Sequence, residues 1–466
     1  MVRKPAYQFD WAVIGAGITG LTAAYTLAKA HFRGCLLEAS RRVGGKIDTV
    51  REGPFLVELG PDAMVTVKPE AIRLCREIGL ETDLIAARPL PAYIIRGHRW
   101  YPIPRHLFTF ASHRLHPLRD LPWLSLRGRL RVIGFPLLRR FDRSSTDRSI
   151  ADAFTRWAGT EFTEWVVEPL LTGIYGGTIE ELSLHATLPH LVVPSSARKR
   201  MRAAGSPGTS GTVFRSLRNG LHQLAERLAD RIRTHGAHIW LGRPVVRITR
   251  SREYYAIDLA DGTSVSARAV IVTSSPRLAA AVLRTLDPEL AGLLQQAGTA
   301  PVAVIAYAFR GDAPDLGSGF LIPRRERRWI TACTWLSRKW PDRCPPEWHL
   351  VRVFLTGTTS PRWMELSDTS IVQIVWEELA ERLGLQTQPE RIWLRRWLDG
   401  MAIYRVGHLE WLQRVESRVA AHHPGLFLAG AGYNGIGLAD CVRMGTTAAH
   451  HALAWLRRRR ETAVHE

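Results

Sequence analysis

Apolar and polar residues near the start of the chain alternate in the order of a strand, a helix and a second strand. Residues 12–14 are wholly apolar, as in a buried parallel strand, and residues 18–29 repeat apolar positions at helical spacing. A second short apolar run, residues 34–37, ends at Glu38. Glycines separate the first strand from the helix, so the pattern predicts the strand, glycine turn, helix, strand and acid of a dinucleotide-binding unit.

The turn before the helix has the G-x-G-x-x-G spacing in Gly15, Gly17 and Gly20. The first glycine permits a tight turn, the second lets the backbone approach a pyrophosphate, and the third allows close packing of the helix on the sheet. The helix N-terminus favours phosphate, and Glu38 lies where a carboxylate accepts hydrogen bonds from ribose, which disfavours NADP. The motif alone also occurs in ordinary turns, but the flanking elements favour a dinucleotide.

Hydrophobic periods and turn residues predict the other elements. Helices are predicted at residues 69–78, 150–157, 162–171, 214–234, 370–383 and 439–457, with a further helix from Pro276. Strands are predicted at residues 55–58, 245–249, 254–259, 265–272, 302–309, 329–335, 349–356 and 426–428. We expect Gly173 and the Gly176-Gly177 pair to break the helical run after residue 162, and residues 203–211 to form a flexible loop.

A second strand that meets a glycine turn, at residues 426–437, lies far along the chain from the first. Because ligands bind at the carboxyl ends of strands in doubly wound sheets, both turns can converge on one long cofactor. The predicted fold is α/β, or α+β overall. It has a discontinuous Rossmann-like nucleotide domain at residues 1–66, 214–280 and 421–466, a mainly helical insert at 67–213 and a mixed-sheet substrate domain at 281–420.

Composition narrows the class of protein. Of the 466 residues, 46% are hydrophobic and 23% are charged, which fits a folded protein and excludes dominant disorder. Five cysteines without a C-x-x-C pair indicate a reduced, cytoplasmic setting, with no disulfide framework and no metal site. We identify no signal peptide and no apolar run long enough to span a bilayer, so any membrane contact is expected to be peripheral.

The net charge of +20 admits nucleic acid, anionic lipid or acidic small molecules as partners. Residues 96–148 hold twelve arginines and three aspartates, with aromatic residues between them. This segment reads either as a membrane-surface contact or as a solvated face. The four arginines at 457–460 suit a helix C-terminus.

The motifs resemble the FAD-dependent porphyrinogen oxidases of haem biosynthesis, within the flavin amine oxidase superfamily. Residues 15–20, Glu38, residues 44–46 (GGK) and residues 58–61 (E-x-G-P) are similar to the FAD signature of the superfamily. The narrower likeness lies in residues 168–177 with 182–189, 214–221, 404–408 (Y-x-V-G-H) and 435–441 (G-I-G-L-x-D-C). One departure is Ala402, where the family commonly has proline.

The resemblance implies oxygen-dependent, six-electron oxidation of coproporphyrinogen III to coproporphyrin III. A flavin takes two electrons in each of three cycles, with hydride passing from a methylene bridge to flavin N5 and O2 reoxidising the flavin. The chain length is similar to that of soluble bacterial members, whose product goes to a ferrochelatase. The alternatives are a protoporphyrinogen IX oxidase, a related amine oxidase or carotenoid desaturase, and, outside enzymes, a basic membrane- or nucleic-acid-binding module. We expect that nucleic acid is not a partner of this protein.

The same resemblance implies the site residues. The expected FAD contacts are Gly15, Ala16, Gly17, Ile18, Thr19, Gly20, Glu38, Ala39, Lys46, Gly60, Pro61, Asp62, Ala63, Val245, Trp397, Ile436, Gly437 and Leu438. Lys68, Tyr175 and Tyr404 are the expected substrate contacts, because the four propionates of coproporphyrinogen require positive partners and a lined pocket. No dedicated acid or base is required, since the cofactor carries the redox chemistry.

Overall fold

The computed structural model describes residues 7–104, 107, 116–141, 146–192, 213–251, 253–357 and 361–465. The loop predicted at residues 203–211 lies outside the described residues. Two seven-stranded sheets form the centre of the molecule, and a group of helices packs beside them. The predicted α/β class is confirmed.

The first sheet contains the predicted nucleotide unit. Its strands, in spatial order, are His238–Trp240, Gly34–Leu37, Tyr7–Ile14, Ser264–Val272, Tyr254–Leu259 and Val245–Ser251, and Leu426–Leu428 pairs with the end of Ser264–Val272. The pairs around Tyr7–Ile14 are parallel, whereas the last two strands of the order form an antiparallel hairpin. The first and last thirds of the chain therefore meet in one sheet.

Both faces of this sheet are covered, so its central strands are apolar on both sides. Trp11 and Val13 pack under the helices Ile18–Lys29, His222–Thr234 and Leu438–His465. Ala12 and Ile14 face the opposite side, which is covered by the helices Pro276–Leu283, Pro288–Gln295 and His408–His422.

The second sheet is mixed. Its order is Arg391–Ile403, Gly298–Phe309, His349–Thr356, Ala332–Trp335, Gly319–Leu321, Tyr93–Arg96 and Arg99–Pro102. The helix Asp368–Leu383 covers one face, and the other face packs against Phe55, Val57 and Leu59 from the segment after the first glycine turn.

The remaining elements are short. Two small sheets pair Thr49–Glu52 with Phe55–Glu58, and Phe214–Leu217 with both Met64–Val65 and Leu84–Ala86. The helical insert comprises Pro117–Asp120, Leu126–Ile133, Phe135–Phe141, Ile150–Ala158, Thr160–Phe162, the π-helix Thr163–Val167, Glu168–Tyr175, Leu184–Thr187 and Pro189–Val192. Other helices are Glu70–Glu77, Leu336–Lys339 and the 3-10 turns Glu81–Asp83, Arg324–Glu326 and Pro361–Glu365.

Some predicted boundaries are wrong. The helix expected over residues 214–234 begins only at His222, because Phe214–Leu217 is a strand and Gly220 has a φ of 87° in the turn between them. Gly173 lies inside the helix Glu168–Tyr175, which Gly176 ends. The strand expected from residue 329 begins at Ala332. The first error arises because Phe214–Leu217 pairs with two strands that are distant in the sequence, and local periodicity does not register such partners.

Asp287 fastens two helices on the outer face of the first sheet. Its Oδ1 accepts from the backbone N–H groups of Glu289 and Leu290, which caps the helix Pro288–Gln295. The Arg418 guanidinium donates to both of its oxygens at 2.7 and 2.8 Å, and His423 Nε2 lies 2.8 Å from Oδ2. Burial alone would raise the pKa of Asp287, but these hydrogen bonds outweigh it and hold the pKa well below the ordinary 3.8.

We expect Asp287→Ala to lower the free energy of unfolding at pH 7 by about 2–3 kcal/mol, because a helix cap and a buried ion pair are lost together. Asp287→Ser keeps a cap and should lose about 1 kcal/mol less. Since the carboxylate is stabilising only while ionised, the wild-type advantage is present above pH ~4 and falls as the pH drops toward the lowered pKa. Urea unfolding at a series of pH values measures this. An advantage that persists unchanged at pH 2 would contradict it.

Candidate active site

The first glycine turn is packed so closely that its geometry is fixed. Gly15 N–H donates to Leu37 O at 2.8 Å, which joins the ends of the two parallel strands. A Cβ on Gly20 would lie 1.9 Å from Gly15 O, so the helix Ile18–Lys29 can approach the turn only with glycine at this position. Ala16, Ile18 and Thr19 are carried by this turn and by the start of the helix, and all three are buried.

Gly17 is a glycine that the protein's own packing does not require. Its φ of −68° suits any residue, and a Cβ there would meet no protein atom within 4 Å. It caps the helix Ile18–Lys29 without a side-chain hydrogen bond to the first turn. The first-turn N–H groups of a helix have no partner within the helix, and with the positive dipole end and the room beside Gly17 they form a cradle for an anion.

Glu38 is hydrogen-bonded on both carboxylate oxygens. Oε2 accepts from Ala16 N–H at 2.6 Å and Oε1 accepts from Ser40 N–H at 2.8 Å. Ala39 lies in the turn between Glu38 and Ser40. A carboxylate has about four acceptor sites, so two remain for other donors. Val245 follows a segment in which Arg243 N–H donates to Glu38 O, and this contact brings the start of the strand Val245–Ser251 to the same sheet edge.

A buried guanidinium fixes the segment that contains Gly60, Pro61, Asp62 and Ala63. Arg352, which is 2% exposed, donates from Nη1 to Glu58 O and Gly60 O, and its Nη2 lies 3.1 Å from Asp62 Oδ1. Asp62 Oδ2 accepts from Lys339 and from the Trp340 indole. Burial would raise the pKa of Asp62, but Lys339 and Arg352 hold it well below the usual range.

The Asp62 carboxylate is therefore occupied by protein groups, and any cofactor contact of Asp62 comes from its backbone. Trp397 lies beside this segment, because its indole N–H donates to Leu59 O at 2.9 Å. The Lys46 side chain is exposed, yet desolvation by the surrounding protein atoms lowers the pKa of its ammonium. The charge of the nearby Asp399 carboxylate partly opposes this lowering.

The second glycine turn is held by Tyr404. Its hydroxyl donates to Ala431 O at 2.7 Å and accepts from Gly435 N–H at 2.6 Å, and its ring stacks on His408 at 4.0 Å between centroids. Tyr404 is 3% exposed, and the expectation that it contacts the substrate stays a prediction. Tyr404 is a core residue that shapes the turn carrying Ile436, Gly437 and Leu438, because its hydroxyl has found both partners within the protein.

The two glycine turns are brought together by their helices. Leu438–His465 packs on Ile18–Lys29, and a Cβ on Gly445 would lie 2.3 Å from Thr19 O. Lys68 Nζ lies 2.7 Å from Asp440 Oδ2 in the first turn of the later helix. Tyr175 is half-buried, and its hydroxyl donates to Thr187 O at 3.0 Å. Burial, followed by the charge of Asp440, raises the pKa of Tyr175 to about 12.

Comparison with known proteins decides what this arrangement is. The family model for flavin containing amine oxidoreductases matches residues 18–453. The chain belongs to the flavin containing amine oxidoreductases. Its cofactor is FAD, since a dinucleotide site in a flavin oxidoreductase accounts for both glycine turns.

Three relatives refine this flavin oxidoreductase assignment. The chain is 30% identical to the coproporphyrinogen III oxidase of Bacillus subtilis (strain 168), over 95% of this chain and 98% of the relative. It is 26% identical to the chloroplastic protoporphyrinogen oxidase 1 of Arabidopsis thaliana, over 93% and 86%. A crystal structure from Exiguobacterium sp. 255-15, described as a candidate protoporphyrinogen oxidase, has a TM-score of 0.82 and 30% identity and covers 97% of this chain and 99% of its own.

The residues of this flavin oxidoreductase fit FAD. We propose that the pyrophosphate binds the helix start at Gly17, where a Cβ would fill the space that the protein leaves. Glu38 then faces the ribose with its remaining acceptor sites, and the segments at Gly60 and Gly437 flank the flavin. Among the described residues, no group of His, Cys, Asp and Glu could hold a metal ion, and no helix is both long and apolar enough to cross a membrane.

Sequence reasoning assigned no role to Arg352 or to the side chain of Asp440. A single arginine inside the apolar strand His349–Thr356 was the available signal for the first, because a buried charge needs a partner. Asp440 stood inside the quoted motif at residues 435–441 without a role. Asp399 also went unnoticed, and its Oδ1 is buried without a hydrogen-bond partner among the described residues.

We expect Gly17→Val to fold but to purify without the yellow colour of bound flavin, because the new side chain fills the pyrophosphate cradle while its Cβ meets no protein atom within 4 Å. Gly292→Val is the matched control, since a Cβ at Gly292 also meets nothing within 4 Å and lies in a helix on the far face of the sheet. Flavin absorbance per protein and thermal unfolding measure the two effects. Flavin retained in Gly17→Val at the wild-type ratio would refute the assignment.

Proposed function

We propose that this protein uses FAD and O2 to oxidise coproporphyrinogen III to coproporphyrin III by six electrons. The observation that carries the proposal is the 30% identity to a coproporphyrinogen III oxidase over nearly the full length of both chains. The matched length spans both glycine turns and the helical insert, which are the parts that we propose contact cofactor and substrate. A likeness restricted to the nucleotide unit would support only the cofactor.

The packing of the family-like stretches supports the same proposal. Ser183 N–H donates to Tyr404 O at 2.7 Å, and Val406 N–H donates to Glu181 O at 3.0 Å. A Cβ on Gly176 would lie 2.9 Å from the Met401 side chain. The stretches at residues 168–189 and 404–408 are thus in direct contact, and Tyr404 joins them to the turn at residues 435–441. Residues that are distant in the sequence form one wall of the proposed site.

Bound FAD supplies the redox chemistry by accepting two electrons from the substrate in each cycle and passing them to O2. The chain's own residues bind, orient and exclude water. Lys68 provides a positive partner for a propionate carboxylate, because an uncompensated carboxylate cannot be buried. Tyr175 contributes an apolar ring face, with its hydroxyl neutral and bonded to Thr187 O. We assign no side chain as acid or base.

Protoporphyrinogen IX is the second candidate substrate, favoured by the Arabidopsis relative and by the name of the Exiguobacterium structure. It has two propionates in place of four. A basic contact such as Lys68 serves both substrates, so the preference rests on the greater similarity to the coproporphyrinogen III oxidase.

Anaerobically prepared coproporphyrinogen III and protoporphyrinogen IX, mixed aerobically with the flavin-loaded protein, test this proposal. We expect porphyrin fluorescence to rise faster than in protein-free buffer for both, and faster for coproporphyrinogen III. Gly17→Val is the matched negative control, because we expect it to lack flavin. No enhancement over spontaneous oxidation with either compound rejects the function, and enhancement with protoporphyrinogen IX alone reverses the assigned preference.

We also propose that the helical insert makes peripheral contact with an anionic membrane surface. We propose in addition that the product passes to a ferrochelatase. Apolar side chains that project into solvent support the membrane contact: Leu118, Leu126, Leu130, Ile133, Leu137 and Leu138, which are 39–60% exposed. Exposed Arg119, Arg127 and Arg131 lie among them. Apolar residues flanked by cations are typical of helices that lie in a lipid interface.

Vesicle sedimentation tests the membrane contact. We expect the protein to sediment with phosphatidylglycerol vesicles more than with phosphatidylcholine vesicles, and less at high salt, since anionic headgroups attract the arginines. Leu130→Glu should reduce sedimentation, whereas Leu278→Glu, at a residue equally exposed on another helix, should not. Equal sedimentation of all three proteins would contradict this contact.

A further inference from the structure

Asp440 is a buried carboxylate beside the proposed substrate site, and the oxidation as described does not use it. Its side chain is 10% exposed and lies in the first turn of the helix Leu438–His465. Oδ2 lies 2.7 Å from Lys68 Nζ, and Oδ1 lies 3.6 Å from Arg443 Nη2. The contact with Lys68 joins residues that are 372 positions apart in the sequence.

The Asp440 carboxylate lies between the second glycine turn and the helical insert. A Cβ on Gly435 would lie 2.5 Å from Asp440 Cβ, and a Cβ on Gly437 would lie 3.3 Å from Oδ2, so the side chain packs directly on the turn. From the insert, Tyr175 is close enough for the charge of Asp440 to raise its pKa. The ion pair with Asp440 therefore holds Lys68 where the second glycine turn and the helical insert meet.

A purely structural role accounts poorly for this ion pair. The Lys68 side chain is 52% exposed, and ion pairs with one well-solvated partner contribute little to stability. An anion is also unfavourable beside a site for a substrate with several carboxylates, because like charges repel. Both points are resolved if the carboxylate serves to place the ammonium.

We propose that Asp440 is a positioning residue that holds the Lys68 ammonium beside the second glycine turn, ready to receive a propionate carboxylate of the substrate. The inference rests on the proposed function. An ammonium has three N–H donors, so one bond to Asp440 leaves two for the substrate. A long lysine side chain that is fixed in advance loses less conformational freedom on binding, and the bound propionate then orients the ring toward the flavin.

A double-mutant cycle tests the inference, with Asp440→Asn, Lys68→Met and the double variant. The probe is coproporphyrin III, a stable tetracarboxylate, titrated by fluorescence into flavin-loaded protein. We expect Asp440→Asn to weaken binding about tenfold, and the double variant to bind as Lys68→Met does, because Asp440 acts through Lys68. Asp440→Glu should restore part of the affinity. Glu77→Gln, which removes the partner of Lys29 on another surface, should leave binding unchanged.

Flavin content and thermal unfolding are measured for each variant, so a folding defect is seen separately from a binding defect. Additive losses in the cycle, or unchanged binding in Asp440→Asn, would overturn the inference, as would a wild-type protein that does not bind coproporphyrin III. If the wild-type protein binds coproporphyrin III but oxidises neither porphyrinogen, the proposed function fails while the cycle still decides the role of Asp440.

Discussion

The rest of the structure depends on the hydrogen bonds of the buried Arg352 guanidinium, which join the second sheet to the segment after the first glycine turn. A buried guanidinium costs several kcal/mol unless hydrogen bonds compensate it. Its Nη atoms find Glu58 O, Gly60 O and the Asp62 carboxylate. Arg352 belongs to the second sheet, and its partners belong to the segment that follows the first glycine turn. These bonds therefore leave the second sheet and that segment little freedom to shift relative to each other. The proposed flavin contacts at Gly60 and Trp397 inherit their positions from this junction.

Close helix packing provides the second constraint. Gly20 admits the first helix to its turn, and Gly445 admits the last helix to the first. The N-termini of both helices therefore lie at the same edge of the sheet, although they come from opposite ends of the chain. Tyr404 completes the arrangement by holding Gly435 with its hydroxyl. A cofactor that contacts both turns is bound by residues whose positions are set by packing rather than by loop flexibility, which favours a preorganised site.

The charged groups near the proposed site divide into two sets. Asp62, Lys339 and Arg352 are largely buried and paired with one another, so they hold structure and present no charge to a ligand. Lys68 and Lys46 are exposed, and we propose that they face the substrate and the FAD phosphates. The first set makes the second useful, because a lysine orients a substrate only when the backbone that carries it is fixed.

The sequence by itself determined the first glycine unit, the strands around it and the resemblance that named FAD, because short-range spacing of glycines, apolar runs and an acid is enough to specify a local fold. It misplaced Phe214–Leu217, it gave no sign that the Tyr404 hydroxyl would hold the second glycine turn, and it left Arg352 and Asp440 without roles. Those four outcomes depend on partners far along the chain: a small sheet, a turn at Gly435, a loop carbonyl at Gly60 and an ammonium at Lys68. Only the tertiary structure decides such contacts, because burial and hydrogen bonding are settled by which distant groups the fold brings within reach.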